Sequence, residues 1–186
     1  MRVLEHRRHS LRAPGDPHLS AEGVRLAHSV APRLGSFRRV ITSTAVRAVE
    51  TATELGRPAE LQLDELRQMP ADVGRQVESV VSPASFQKYW KLVQRERAVR
   101  EFAEGQASLW RRLLSDLPDG SRLLMISHGG IIELGSLAAR PQEAPTWGLA
   151  VAPLEGVRLS LQGLRWVEGA VLRLPELNGE KTDHPR

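Results

Sequence analysis

Three short segments of the sequence carry arginine and histidine side chains of the kind that bind phosphate. Arg8 and His9 follow the segment RVLEH, Arg47 lies in VITSTAVRAVETA, and His128 lies in LLMISHGG. Arginine offers a planar fork of N–H groups that matches phosphate oxygens. The two glycines after His128 let backbone N–H groups approach an anion where a helix begins. Together these residues would form a phosphate site if the fold brings them to one place.

The elements that must position these residues are predicted from the hydrophobic pattern. Strands are indicated by the segments RVLEH, RRVITS, AELQLDEL, SRLLMIS, LAVAP, GVRLSLQ and LRWVEGAVLRL. Helices are predicted over LSAEGVRLAHSVAPRLG, which Ser20 would cap and Pro32 would shorten, over residues 45–55 and 82–120, and after His128. This alternation favours an α/β fold: a three-layer α/β/α sandwich with a mostly parallel sheet and an antiparallel edge. Such sheets bind ligands at the carboxyl ends of their strands, where all three segments are expected.

The long helical segment, residues 82–120, carries its aromatic side chains at helical spacing. Phe86, Trp90 and Val93 fall on one stripe, and a second stripe follows at Trp110, Leu113 and Leu114. Core packing is the usual meaning of such stripes, and ligand stacking is the alternative.

The motifs and their order resemble the histidine phosphatase superfamily, which has the phosphoglycerate-mutase-like fold. The pattern of that family is RHG after the first strand, then LTxxGxxQA, SxxxRAxxTA, LxE and SHGG. This chain has RRHS, LSAEGVRLA, TSTAVRAVETA, LDEL and ISHGG in the same order, over residues 1 to about 140. It departs from the pattern at Ser10, where the family has glycine, and at Leu11–Arg12, where many members have Glu–Thr. The phosphate loop is therefore expected to differ in detail.

The resemblance implies a role for each matching residue. It makes His9 the nucleophile that becomes phosphohistidine, a role that suits an imidazole that is neutral near pH 7. It makes Arg8, Arg47 and His128 the groups that hold the non-bridging phosphate oxygens and stabilise the transition state. His128 thus belongs to both the catalytic and the phosphate-binding set. No cofactor and no metal are implied, and the sequence has no metal-ligand motif.

The oxygen that leaves the phosphate needs a proton, which a carboxylic acid near the site would supply. Glu65 in LDEL matches the acid of the family's LxE motif and is the candidate. Asp64, Glu133 and Glu5 are the alternatives.

Other polar residues near the motifs are expected to have lesser roles. His6 and Arg7 would lie on strand surface, and His18 and His28 on the protein surface. Either Ser43 or Thr44 would contact phosphate or cap the helix that bears Arg47. Arg12, on a loop, is a possible contact for an anionic substrate.

Composition limits the class of protein. The length of 186 residues fits one domain, here assigned to residues 1–175, followed by a polar tail over residues 176–186. The absence of cysteine excludes disulfides, thiolate metal sites and a cysteine nucleophile. There is no run of about 20 apolar residues, and the charged N-terminus does not fit a secretory signal, so a cytoplasmic protein without a membrane partner is expected.

The net charge of +4 raises the question of a nucleic-acid partner. Only Lys88, Lys91 and Lys181 are lysines, so the remaining basic residues are arginines. They are scattered along the chain and interrupted by glutamates rather than gathered with aromatic residues. No nucleic-acid partner is expected.

These observations predict a metal-independent phosphoric monoester hydrolase that acts on a small phosphorylated substrate through His9. A phosphoglycerate-type phosphomutase is one alternative, but the chain is short for the covering segments that a mutase needs. A non-catalytic protein that binds phosphorylated ligands is the other. The oligomeric state is not indicated by any residue.

Overall fold

The computed structural model describes residues 1–174 and contains one six-stranded sheet with helices on both faces. The strands are β1 (Arg2–Arg8), β2 (Arg39–Ser43), β3 (Leu61–Leu63), β4 (Arg122–Ser127), β5 (Gly156–Gln162) and β6 (Arg165–Leu172). The helices are α1 (Ala21–Val30), α2 (Val46–Glu54), α3 (Ala71–Glu78), α4 (Phe86–Arg95), α5 (Arg97–Ser115) and α6 (Ile131–Ala139).

The sheet has the strand order β3-β2-β4-β1-β5-β6. The strands β3, β2, β4 and β1 run parallel to one another, whereas β5 is antiparallel to β1 and to the edge strand β6. The predicted sheet, mostly parallel with an antiparallel edge, is confirmed. Because β1, β2 and β4 are adjacent and parallel, their carboxyl ends meet at one edge of the sheet.

Two apolar clusters fill the space between the sheet and its helices. On β4, Leu124 and Ile126 face the cluster formed with α1 and α2. Leu123 and Met125 alternate with them and face the larger cluster that includes residues of α3, α4, α5 and α6. Alternate side chains of a strand point to opposite faces, so a strand that is apolar throughout must be covered on both sides. The three-layer sandwich is confirmed.

The first helix follows the local signals in its sequence. The hydroxyl of Ser20 accepts a hydrogen bond from the backbone N–H of Gly23 at 3.0 Å and thereby caps α1. The α-helix ends at Val30, and Pro32 lies in the short 3₁₀ turn that follows. Both predictions for this helix are confirmed.

The segment between β3 and β4 differs from its prediction. Instead of one long helix, α4 ends at Arg95 and α5 begins at Arg97, because Glu96 is extended with φ −105° and ψ 114°. No proline or glycine in the sequence marks this break. The helix α3 was not predicted; it contains Gly74, and its one fully buried residue is Val73.

Two predicted strands are shorter or absent. In AELQLDEL only Leu61–Leu63 forms a strand, and a 3₁₀ turn over Asp64–Leu66 follows it. The segment LAVAP forms no strand, and Leu149 makes only an isolated bridge with Ser85. LAVAP instead crosses the carboxyl edge of the sheet, where Val151 contributes its backbone to the candidate site described below.

The aromatic stripes pack in the core. Phe86 and Trp110 are fully buried in the larger apolar cluster, while Trp90 is half-buried against it. This confirms core packing as their main role.

The expectation for His6 and Arg7 was wrong, because neither lies on the surface. His6 is fully buried, bonds Ser127 Oγ at 2.6 Å and contacts the edge of the Trp110 ring. Arg7 is buried beside Glu5, with which it forms a salt bridge of 2.8 Å. Both faces of β1 are covered, so His6 and Arg7 form their hydrogen bonds inside the protein.

Between residues 1 and 174 no helix has the length and apolar character needed to cross a membrane. The predicted polar tail, residues 176–186, lies outside the described residues.

Candidate active site

Three strand ends bring the predicted residues together. His9 follows β1, Arg47 lies on the first turn of α2 after β2, and His128 follows β4. Arg47 Nε donates a hydrogen bond to His9 Nε2 at 3.0 Å, and Arg47 Nη2 donates to His128 Nδ1 at 3.1 Å. The two imidazole rings are 5.2 Å apart between centroids. Arg47 therefore bridges the two histidines through different nitrogens of one guanidinium.

The hydrogen bonds determine which nitrogen of each histidine carries the proton. Arginine only donates, so His9 Nε2 and His128 Nδ1 must both be acceptors. The proton of His9 is then on Nδ1, which donates to the carbonyl oxygen of Ser10 at 2.7 Å. The proton of His128 is on Nε2, which donates to Ser43 Oγ at 2.9 Å. His9 thus presents an unprotonated Nε2 toward the guanidinium of Arg47.

Both histidines are held neutral by their surroundings. Burial lowers the pKa of His9 to about 4, and the positive charges of Arg47 and Arg8 act in the same direction. Burial and the charge of Arg47 lower the pKa of His128 to about 3. At neutral pH neither ring carries a charge, so the positive charge of the site comes from arginine.

Arg8 is held against the backbone of the site. Its Nη1 donates to the carbonyl oxygen of Val151 at 2.9 Å. A Cβ on Gly129 would lie 3.4 Å from the guanidinium carbon of Arg8, an ordinary van der Waals distance, so Arg8 lies beside the turn that precedes α6. Arg8 Nε is buried and has no hydrogen-bond partner within residues 1–174. This N–H is the group that a bound anion would satisfy.

The start of α6 is held by a buried carboxylate that the sequence singled out only as an alternative acid. Gly130 has φ +84°, a conformation that favours glycine, and its N–H donates to Glu133 Oε2 at 2.6 Å. The other oxygen, Glu133 Oε1, accepts from Val151 N at 2.8 Å. Burial raises the pKa of Glu133. Glu133 therefore joins α6 to the segment that holds Arg8.

Ser10, which stands at the family's glycine position, is accommodated by α1. It is fully buried, and its hydroxyl donates to the carbonyl oxygen of Gly23 at 2.7 Å. Its backbone N–H donates to Thr51 Oγ1 at 3.0 Å. A Cβ on Gly23 would lie 2.0 Å from the carbonyl oxygen of Leu11, so glycine is needed on the helix side. The serine hydroxyl thus bonds to the neighbouring helix, and the loop keeps its close packing against α1.

Glu65 is not brought to the other site residues. It is exposed on the 3₁₀ turn after β3 and lines a separate depression with Phe102 and Gln106. The motif match could not reveal the exposure of Glu65. It follows from the turn burying the next residue, Leu66, in the core.

The other acids considered from the sequence also have partners. Asp64 accepts a hydrogen bond from Thr44 Oγ1 at 2.5 Å. Glu5 forms salt bridges with Arg7, Arg122 and Arg158 inside the sheet. Neither carboxylate lines the cavity described next.

A cavity of about 780 Å³ opens above the two histidines. Its lining includes Arg12, which the sequence flagged, and Arg67, which it did not. Two carboxylates line it, the buried Glu133 and the exposed Glu78 of α3. Both Arg67 and Glu78 were missed because the turn after β3 and the helix α3 were not predicted. His18 and His28 lie outside it, paired on the surface with Glu50 and Glu54 respectively.

Comparisons with known proteins agree with this fold. A model of the histidine phosphatase superfamily (branch 1) matches residues 4–168. The phosphoserine phosphatase of Entamoeba histolytica, solved with 3-phosphoglyceric acid, has a TM-score of 0.69 at 15% identity. The superposition covers 94% of this chain and 98% of the phosphatase chain. A mycobacterial glucosyl-3-phosphoglycerate phosphatase, solved with VO3, has a TM-score of 0.64 at 21% identity, covering 92% of this chain and 98% of its own.

A third similar structure is named as a mutase rather than as a phosphatase. The phosphoglycerate mutase of Bacillus anthracis has a TM-score of 0.65 at 16% identity and covers 89% of this chain and 90% of its own. Curated protein sequences give no significant match. At these identities the likeness shows the fold alone.

Fold and site together define an α/β/α protein with a basic, histidine-containing cavity at the carboxyl edge of its sheet. The family model spans most of the chain, in the order of motifs described above. The chain belongs to the histidine phosphatase superfamily.

Proposed function

We propose that this protein hydrolyses small phosphomonoesters through a phosphohistidine formed on His9. The observation that carries the proposal is the unprotonated Nε2 of His9, which lies 3.0 Å from Arg47 Nε in a basic cavity. Its lone pair attacks phosphorus, and the bond from phosphorus to the ester oxygen breaks. The ester oxygen takes the bonding electrons and a proton. Water then attacks the phosphohistidine and returns the electron pair to Nε2.

The groups around His9 support the transfer of a dianionic phosphoryl group. Arg47 bonds both histidines and supplies a fixed positive charge at the point of attack. The buried Arg8 Nε supplies a further N–H donor. The Nδ1 proton of His9, held by the Ser10 carbonyl, allows positive charge on the ring to be stabilised as the bond forms.

His128 is the remaining phosphate ligand of the proposal. The Ser43 hydroxyl oxygen accepts a hydrogen bond from His128 Nε2–H and fixes the ring, so Nδ1 faces the guanidinium of Arg47. Phosphate oxygens would compete for the same guanidinium. Because an imidazole nitrogen must carry a proton to bind an oxygen, we expect His128 to gain a proton when the dianion binds.

The proton for the leaving oxygen is assigned to Glu78 rather than to Glu65. Glu78 is the exposed carboxylate that lines the cavity, whereas Glu65 lines a different depression. Glu133 also lines the cavity, but both of its oxygens accept backbone hydrogen bonds. A carboxyl that is held as a double acceptor is poorly placed to donate.

Steady-state release of phosphate from 4-nitrophenyl phosphate tests the proposed activity. We expect His9→Ala to lower kcat by at least about 10³-fold, and Arg47→Lys by about 10²-fold, because lysine cannot bridge both imidazoles. Arg57→Lys is the matched control, since Arg57 is half-buried in the loop after α2 and lies outside the cavity. Activity of His9→Ala equal to that of the control would contradict the proposal.

Assays on the same purified protein distinguish the proposed hydrolase from a phosphomutase and from a non-catalytic binding protein. A phosphomutase would isomerise 3-phosphoglycerate faster than it releases phosphate from it. A non-catalytic binding protein would bind phosphate or vanadate without turnover of any phosphomonoester. The comparisons include proteins named as phosphatases and one named as a mutase, so this assay decides between them.

A further inference from the structure

The cavity contains two arginines that the proposed chemistry does not use. Arg12 lies on the loop after β1, and Arg67 lies at the end of the 3₁₀ turn after β3. Both are exposed and both line the cavity that holds His9 and Arg47. They come from different parts of the chain, so their presence at one cavity is a product of the fold rather than of a local run of charge.

Neither arginine is neutralised by the protein. Within residues 1–174, no salt bridge joins Arg12 or Arg67 to a carboxylate. Arg12 makes only a long hydrogen bond of 3.4 Å to the carbonyl oxygen of Asp16. By contrast, one buried carboxylate elsewhere, Glu5, pairs with three arginines.

These charges are close enough to act on the phosphate site. Burial lowers the pKa of Arg47, and the charges of Arg12 and Arg67 add to that effect. Like charges in a shared cavity repel one another, and this cost is removed when an anion binds between them.

Two of the four arginines that line the cavity have no role at the phosphate that His9 attacks. Arg8, Arg12, Arg47 and Arg67 face two carboxylates, of which Glu133 is already bonded by backbone N–H groups and Glu78 is exposed. A phosphoryl dianion bound at His9 offsets Arg8 and Arg47. The cavity of about 780 Å³ is also far larger than a phosphate group and has room for a leaving group beyond it.

We infer that Arg12 and Arg67 bind a second anionic group, a carboxylate or a second phosphate, in the leaving part of the substrate. This inference rests on the proposed function, because it assumes that the transferred phosphoryl group lies at His9. The substrate class is then a phosphomonoester with two anionic ends, and its second end is held by guanidinium N–H groups.

Matched substrates of equal chain length test the inference. We compare kcat/KM for ethyl phosphate, phosphoglycolate and ethylene glycol bisphosphate, which differ at the end remote from the reacting phosphate. The protein should prefer at least one of the two doubly anionic substrates over ethyl phosphate by about 10- to 100-fold, the worth of one or two charge-assisted hydrogen bonds. Comparison of phosphoglycolate with ethylene glycol bisphosphate shows whether Arg12 and Arg67 prefer a carboxylate or a second phosphate.

The variants are Arg12→Gln and Arg67→Gln, separately and together, with Arg75→Gln as the matched control. Arg75 is exposed on α3 beside the cavity but does not line it. We expect the preference for the second anion to fall about tenfold in each single variant and to disappear in the double variant, while the control keeps it. A preference that survives the double variant, or a wild-type protein with no preference, would overturn the inference.

The measurements distinguish an error in the proposed hydrolysis from an error in the inference about Arg12 and Arg67. If the wild-type protein turns over no phosphomonoester, including 4-nitrophenyl phosphate, the proposed hydrolysis is wrong. Calorimetric binding of phosphoglycolate against ethyl phosphate, with the same variants, then still tests the Arg12–Arg67 site. Equal affinity for the two ligands in that measurement overturns it.

Discussion

A neutral imidazole attacks phosphorus only through the nitrogen that carries no proton, so the tautomer of His9 decides whether the residue can act. The Ser10 carbonyl accepts a hydrogen bond from Nδ1–H, so Nε2 carries no proton and accepts the hydrogen bond of Arg47 Nε. Substitution of the family's glycine by Ser10 does not disturb this arrangement, because its side chain bonds to Gly23 and its carbonyl remains available. The motif predicted that His9 is the nucleophile. Its tautomer could not be predicted, because it depends on hydrogen bonds to Ser10 and to the distant Arg47.

The role of Glu78 as the proton donor can be tested by substitution. Glu78→Gln should lower kcat/KM for alkyl phosphates by about 10²-fold, the usual worth of a general acid. It should have a much smaller effect on 4-nitrophenyl phosphate, whose leaving group departs without a proton. Kinetic assays on the two substrates measure the difference.

The matched variant for that prediction is Glu65→Gln, which changes the acid expected from the LxE motif. With Glu78 as the donor, Glu65→Gln keeps the wild-type ratio between alkyl and aryl substrates. A loss confined to alkyl phosphates in Glu65→Gln, but not in Glu78→Gln, would return the role to Glu65.

At the scale of elements, the site depends on a contact between α6 and the segment that follows it in the chain. Glu133 accepts hydrogen bonds from Gly130 at the start of α6 and from Val151, whose carbonyl in turn accepts from Arg8. The carboxylate therefore sets the distance between the helix and the backbone that holds Arg8. It is a positioning residue, because it acts on phosphate through Arg8.

This arrangement predicts that Glu133→Gln weakens phosphate binding through Arg8. An amide can accept only one of the two hydrogen bonds, so we expect KM for 4-nitrophenyl phosphate to rise about tenfold with a smaller change in kcat. A double-mutant cycle with Arg8→Lys measures the coupling. Additive effects of the two substitutions would show that Glu133 acts on folding alone.

The parts of the site that follow from local pattern were predictable, and those that follow from packing were not. Apolar runs predicted β1, β2 and β4, and the motifs that end them placed His9, Arg47 and His128 at one edge. Glu65 lines a different depression, and the burial of Leu66 beside it could not be read from the LDEL motif. LAVAP reads as a strand by hydrophobicity, yet it provides backbone groups to Arg8 and Glu133.

For the molecule as a whole, the buried histidines link stability to pH. Burial lowers the pKa values of His6 and His128 to about 3 and that of His9 to about 4. In the unfolded chain these groups take up protons below about pH 6.5, whereas in the folded protein they remain neutral until far lower pH. The unfolded state therefore binds more protons in this window, and the stability must fall as the pH falls.

Urea unfolding at pH 7 and pH 5.5 measures this effect. Each buried histidine contributes up to about 1.4 kcal/mol of lost stability per pH unit below 6.5. Glu133 acts in the opposite direction, because its raised pKa favours proton uptake by the folded state. We expect a lower midpoint at pH 5.5, and a smaller difference between the two pH values in His6→Gln.

The control for that measurement is His18→Gln. His18 is exposed, and its hydrogen bond with Glu50 raises its pKa, so its removal should not reduce the loss of stability in acid. A midpoint that is equal at both pH values in the wild-type protein would contradict the account of the buried histidines.

The central claim, a phosphohistidine on His9 Nε2, is tested most directly by rapid-quench trapping of the phosphorylated protein. The protein is mixed with 4-nitrophenyl phosphate, quenched in alkali within milliseconds, and examined by peptide mass spectrometry and ³¹P NMR. We expect one phosphoryl group that is stable in base and labile in acid, attached to Nε2 of His9 and absent from His9→Ala. Turnover without this species, or a phosphoryl group on Nδ1 or on another residue, would contradict it.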